Sequence, residues 1–124
     1  MIIRLIYPKS GEITLDDINI NEFKIKSFHS LFGVVAQDPY LFNDTIKNNI
    51  VFGRQNITEK QINKSLILSN SIGLIDNKLL GLDYIVGENG ANLSGGEKQK
   101  IAISRALLTD PQIIIFDEAM SSVD

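Results

Sequence analysis

The spacing of apolar positions changes several times along the chain, and each spacing predicts an element. Met1 to Ile6 is largely apolar and reads as the tail of a helix, closed by the turn Tyr7-Pro8-Lys9-Ser10-Gly11. Between Glu12 and Ile20 the apolar residues Ile13, Leu15, Ile18 and Ile20 alternate with polar ones, which predicts a half-exposed strand or hairpin. Phe32 to Ala36, with Val34-Val35 at its centre, is short and continuous, the pattern of a buried strand ending at Gln37. From Thr45 to Leu80 the texture is helical. Thr58 followed three residues later by Gln61 is a capping box that opens a helix toward Asn70, and a second short helix is expected over Ser71 to Leu80. Leu82 to Asn92 reads as a loop with turns at Gly87 and Gly90. Ser94 then opens the clearest helix, stopped at Thr109-Asp110-Pro111 because the residue before a proline avoids the helical region. Ile113 to Phe116 is an apolar strand, expected to be buried on both faces, that runs into Asp117-Glu118. Strands early and late with helices between predict the α/β class.

Composition narrows the function classes. With 44% hydrophobic and 22% charged residues, the 124-residue chain has the make-up of a globular protein, one small domain or part of a larger one. Its unbroken apolar runs of four or five residues fall far short of the roughly 20 that a membrane helix needs, so any membrane role must come through a partner. The formal net charge of −3 gives no global basic field for nucleic acid. There is no cysteine, which excludes disulfides and thiolate metal sites. His29, the sole histidine, has no nucleophile or carboxylate at a telling spacing and reads as a surface or satisfied core residue.

Candidate chemistry gathers at two places. Asp117 and Glu118 follow a strand, where open α/β sheets bind their ligands. The first can hold a hydrated Mg²⁺ and the second can orient or deprotonate an attacking water. Taken alone, an acidic strand end is more often a solvated turn. Leu93-Ser94-Gly95-Gly96-Glu97 is the second place. Ser94 and Glu97 make a capping box, which is a complete structural account of those two residues. It does not account for two glycines in the first helical turn, where they weaken the helix. Glycines there let a backbone approach a ligand, and the amides and dipole of a helix start suit a phosphate. Along the helix Ile103, Ala106 and Leu107 form an apolar face, while Lys98, Lys100 and Arg105 read as a solvated one. Gln37, at a strand end before Asp38-Pro39, has an amide able to touch a metal or a water, although a glutamine so placed is usually only exposed.

In combination these segments resemble the nucleotide-binding domain of an ATP-binding cassette (ABC) transporter. LSGGEKQKIAISRALLTDP followed by IIIFDEAMSSVD is similar to that family's signature helix, Walker B strand and D-loop, in order and in spacing. VVAQDPYLFNDTIKNNIVFG resembles the Q-loop and the start of the helical subdomain, and YIVGENGANLSGG resembles the loop before the signature in exporters. The resemblance implies part of a P-loop NTPase core with a helical signature subdomain, divided as 1–37, 38–96 and 97–124. It implies ATP and Mg²⁺ as ligands, with Asp117 on the metal through water, Glu118 polarising the hydrolytic water, and Gln37 sensing both metal and γ-phosphate. Leu93, Ser94, Gly95 and Gly96 would meet the ATP held by a second nucleotide-binding domain in a head-to-tail dimer. Ser121 and Asp124 would belong to the D-loop at that interface, and residues near Asp38 to Asn48 would face a transmembrane domain. The implied location is the cytoplasmic face of the membrane, through that partner, with no nucleic acid.

The sequence departs from the family pattern in specific ways. Glu97 stands where the family frequently has glutamine. None of the nine glycines is followed by lysine, so the phosphate-binding loop G-x-x-x-x-G-K-[ST] is absent from these residues. The upstream adenine-stacking aromatic and the histidine after the D-loop are missing too. The expectation is therefore a chain that begins and ends inside the domain and does not hydrolyse ATP alone. Two other readings remain: a non-catalytic, truncated or regulatory half-domain, and the ATPase head of DNA-repair proteins. The stretch from Gln37 to Ser94 has no heptad tract and no room for the long coiled coil of such heads.

Overall fold

The computed structural model describes residues 2–117, and within them the chain is a small mixed α/β unit. A hairpin comes first, β1 (Thr14–Leu15) antiparallel to β2 (Ile18–Asn19), with Leu15 opposite Ile18. Asp16 and Asp17 both have positive φ, as a two-residue turn matched to strand twist requires. Helix α1 (Ile25–His29) leads to strand β3 (Phe32–Val35), and helices α2 (Ile46–Val51), α3 (Glu59–Leu68) and α4 (Ile72–Asp76) follow. The long helix α5 (Gly95–Leu107) then delivers the chain to strand β4 (Ile113–Phe116). β3 and β4 pair in parallel, Phe32 with Ile113 through Val35 with Phe116, although about eighty residues of sequence separate them.

Helix α5 sits between two apolar clusters. On one side Ile101 and Leu108 join Leu41, Ile46, Ile50, Ile62, Leu66 and Leu74 in the main core. On the other, Ala102 and Ala106 pack on Val35 of the sheet. Alanines there allow a close approach, and Gly33 completes it: a Cβ on Gly33 would lie 2.7 Å from the Ala106 carbonyl oxygen. A buried hydroxyl cluster adds register. Ser69 Oγ lies 2.7 Å from Ser71 Oγ and 2.6 Å from Ser104 Oγ, which ties the α3–α4 joint to α5.

The capping box opens α3 as expected, with Thr58 accepting from the Gln61 amide and the Gln61 side chain reaching back. Three expectations are corrected. Residues 2–6 form turns and bends, not a helix tail, with Arg4 at φ 59°. So few residues cannot nucleate a helix alone, and the segment is held instead by Arg4 Nη1 donating to the Phe23 carbonyl at 2.8 Å. The helix expected over Ser71 to Leu80 stops at Asp76, and Leu79 beyond it is 97% exposed. Strand β4 is not buried on both faces: Ile114 and Phe116 are exposed, as is Val34 on β3. Helix α5 covers one face of this pair of strands, with its contacts on Gly33 and Val35, and Phe28 of α1 packs on Phe32 at the start of β3.

Candidate phosphate-facing helix start and neighbouring groove

The N-terminus of α5 is built by local hydrogen bonds. Ser94, in extended backbone, accepts from the Glu97 amide at 3.2 Å through its hydroxyl oxygen, and its own N–H donates to Glu97 Oε2 at 2.8 Å. Gly95 and Gly96 occupy first-turn positions, whose amides have no acceptor inside a helix. No atom outside its immediate chain neighbourhood would touch a Cβ on Gly95, and its φ is not positive. Neither packing nor backbone conformation in this chain requires a glycine there. An exposed helix start with free first-turn amides suits an approaching anion. Leu93 anchors the motif in the main core, where the residue is 9% exposed.

Glu97 has a second partner. Its Oε1 lies 2.9 Å from Lys78 Nζ, and that ammonium sits 5.0 Å from the centroid of the Tyr84 ring. Burial would raise the Glu97 carboxyl, but the Ser94 amide and the hydrogen bond and charge of Lys78 outweigh it, holding the group below the ordinary glutamate range.

The carboxyl ends of β3 and β4 form another edge. The Asp117 amide donates to the Val35 carbonyl at 3.0 Å, which extends the ladder and sets the exposed Asp117 just past the strand end. Gln37 is exposed two residues beyond β3, so both residues follow the carboxyl ends of adjacent parallel strands. One carboxylate and one amide suit Mg²⁺, which keeps several waters and takes phosphate oxygens. Among the described residues no group of three or more His, Cys, Asp or Glu side chains gathers to cage a metal. A cavity of about 450 Å³ touches Asp117 but is lined otherwise by Ile2, Ile3, Val34, Ile115 and Phe116, without Ser94. Glu118, Ser121 and Asp124 lie outside the described residues.

Partly within the Asp38–Asn48 stretch expected to face a transmembrane domain, a groove of about 510 Å³ opens between Phe42, Asp44, Asn48, Val51, Phe52 and Gly53. Its aromatic wall is continuous, with Tyr40–Phe42 and Phe42–Phe52 centroids 5.2 and 5.4 Å apart. The Asn48 amide and the Thr45 N–H hold the Asp44 carboxyl below its ordinary range, so the rim stays anionic. Phe52 caps α2 at φ 51°, a left-handed conformation that is strained for a bulky residue.

Arg105 of α5 braces this wall from behind, so the sequence reading of it as a solvated residue is corrected. Its Nε donates to the Asn49 carbonyl at 2.8 Å and Nη1 to the Tyr40 carbonyl at 3.1 Å. The guanidinium lies 4.5 Å from the Phe52 ring centroid. Burial, with Arg54 nearby, lowers its pKa, and it remains a cation. Asn49, fully buried, donates to the Phe42 and Thr45 carbonyls and accepts from the Phe42 N–H. A local pattern gives little sign of this clamp, because its partners lie 56 and 65 positions away.

Residues 1–121 match the family model described as ABC transporter. The chain is 47% identical, over its whole length, to ABC transporter B family member 21 of Arabidopsis thaliana, of which it covers 10%. It is 42% identical over 116 residues to the ATP-dependent lipid A-core flippase of Vibrio vulnificus, covering 93% of this chain and 20% of the relative. Among solved structures, a bacterial Atm1-family ABC exporter with ATP bound superposes with a TM-score of 0.90 at 37% identity, over 99% of this chain and 22% of that one. The chain thus spans about a tenth to a fifth of the length of these relatives. Among the described residues no helix is long and apolar enough to cross a membrane.

Proposed function

The chain belongs to the ABC transporter family, and on that premise we propose that it forms part of the ATP-binding and ATP-hydrolysing domain that powers export. The observation that carries this reading is the start of α5, where Ser94 caps the helix and Gly95 faces open space. Ser94, Gly95 and Gly96 are assigned to the γ-phosphate of ATP held by a second nucleotide-binding domain, packed head to tail.

Asp117 and Gln37 are assigned to the nucleotide on this chain's own side, where their oxygens suit a hydrated Mg²⁺. Bound there, Mg²⁺ would neutralise phosphate charge. Glu118 is assigned to orienting and deprotonating the attacking water, and Ser121 and Asp124 to the dimer interface. The division into 1–37, 38–96 and 97–124 is carried forward as part of the proposal. The groove beside Phe42 and Phe52 is assigned to a helix of the transmembrane domain, which would hold this unit at the cytoplasmic face. Its aromatic wall supplies an anchor of the kind that dominates such contacts.

The test is association with a nucleotide-binding domain taken from the lipid A-core flippase, carrying an amide in place of its counterpart of Glu118 so that ATP persists. The chain should bind this partner in ATP and release it without. Ser94→Arg should abolish binding, because its bulk fills the space that the phosphate enters. ATP-independent binding, or full binding by the arginine variant, would refute the assignment.

A further inference from the structure

We propose that Lys78 is a positioning residue for the α5 start, pairing with Glu97 so that this carboxylate does not repel the phosphate assigned to Ser94, Gly95 and Gly96. The proposal rests on that reading of the helix start. The carboxylate is fixed at both oxygens: Oε2 accepts from the Ser94 amide at 2.8 Å and Oε1 faces Lys78 Nζ at 2.9 Å. It is therefore anchored inside the same turn that an anion would approach, where like charges repel.

Magnitudes show why the helix alone is not enough. A helix N-terminus is equivalent to about +0.5 charge, and adding the full carboxylate leaves the turn at about −0.5. The Lys78 ammonium brings the local sum back to about +0.5, which attracts phosphate. Lys78 is also held in place. Its side chain is 16% exposed, its ammonium lies over Tyr84, and its backbone is pinned by its N–H to Ile75 and by the Gly81 N–H to its carbonyl. Lys98, next on α5 after Glu97, lays its stem against Gly90, where its Cε is 3.0 Å from the position of a Cβ.

The ATP-dependent association described above measures the effect in a charge cycle. Lys78→Met should weaken association about two- to fivefold at low salt, the range of partly exposed ion pairs. Lys78→Arg should retain it. The double variant Glu97→Gln/Lys78→Met should bind about as the wild type does, because removing both charges returns the local sum to about +0.5. At high salt the wild-type and Lys78→Met affinities should converge. A merely structural lysine would leave the double variant as weak as Lys78→Met at both salt concentrations, and that result would overturn the proposal. Unchanged affinity for Lys78→Met at low salt would overturn the role of Lys78 alone. Failure of the wild-type chain to bind in ATP would overturn the phosphate reading and this proposal with it.

Discussion

The two ends of α5 use charge in opposite ways. At its start, Ser94 and Gly95 are exposed, the hydrogen bonds span three residues, and a Cβ on Gly95 would meet nothing within 4 Å. Near its end, Arg105 is partly buried, bonds backbone carbonyls more than fifty positions away, and is covered by an aromatic ring. The start leaves the exposed Gly95 beside open space, whereas the end uses its donors within the chain. A helix whose far end is clamped to the groove wall can present its near end at a fixed position. Movement of Phe42 or Phe52 would reach the Ser94 turn through one rigid element about 20 Å long.

The comparison breaks most visibly at the clamp. Arg105→Met should lower stability by about 2–4 kcal/mol in urea unfolding. It removes two charge-assisted hydrogen bonds and a stacked cation, and leaves the Asn49 and Tyr40 carbonyls without this donor. A loss below about 0.5 kcal/mol would mean that the clamp is solvated and the two ends are alike. Ser94→Ala should cost less, about 1 kcal/mol, the usual value of an N-cap. If it matched Arg105→Met, the α5 start would be a structural element first.

The smallest effect concerns pH. The Glu97 carboxyl is held below its ordinary value in the folded chain, so the unfolded state binds the proton at higher pH. Its contribution is therefore complete above the ordinary glutamate value, about pH 4.3, and is lost as pH falls through the lower folded value. The stability difference between wild type and Glu97→Gln should shrink over that interval, by less than about 1 kcal/mol. A difference that grew on acidification would reverse the sign and remove Lys78 as the partner.

Legibility in the sequence follows the range of the interactions. The capping boxes at Thr58 and Ser94, the stop before Pro111 and the strand at Ile113 were all readable, because each is decided within about four residues. The order of motifs from Gln37 through Ser94 to Asp117 carried the family with it, since the match covers residues 1–121. Met1 to Ile6 misled because apolar character alone does not make a helix without neighbouring turns.

The sequence by itself determined where α3 and α5 start and where the glycine-bearing turns fall, and it nominated the residues proposed for phosphate and metal. Tertiary structure alone decided that β3 and β4 are parallel neighbours, which sets Gln37 and Asp117 along one edge. It also decided that Arg105 is a clamp and not a solvated cation, and that Lys78 reaches Glu97. The reason is physical. A cap or a turn is fixed by the dihedral preferences of adjacent residues, whereas these contacts exist only after packing of the core around Ile50, Leu66 and Ile101 brings distant segments to hydrogen-bonding distance.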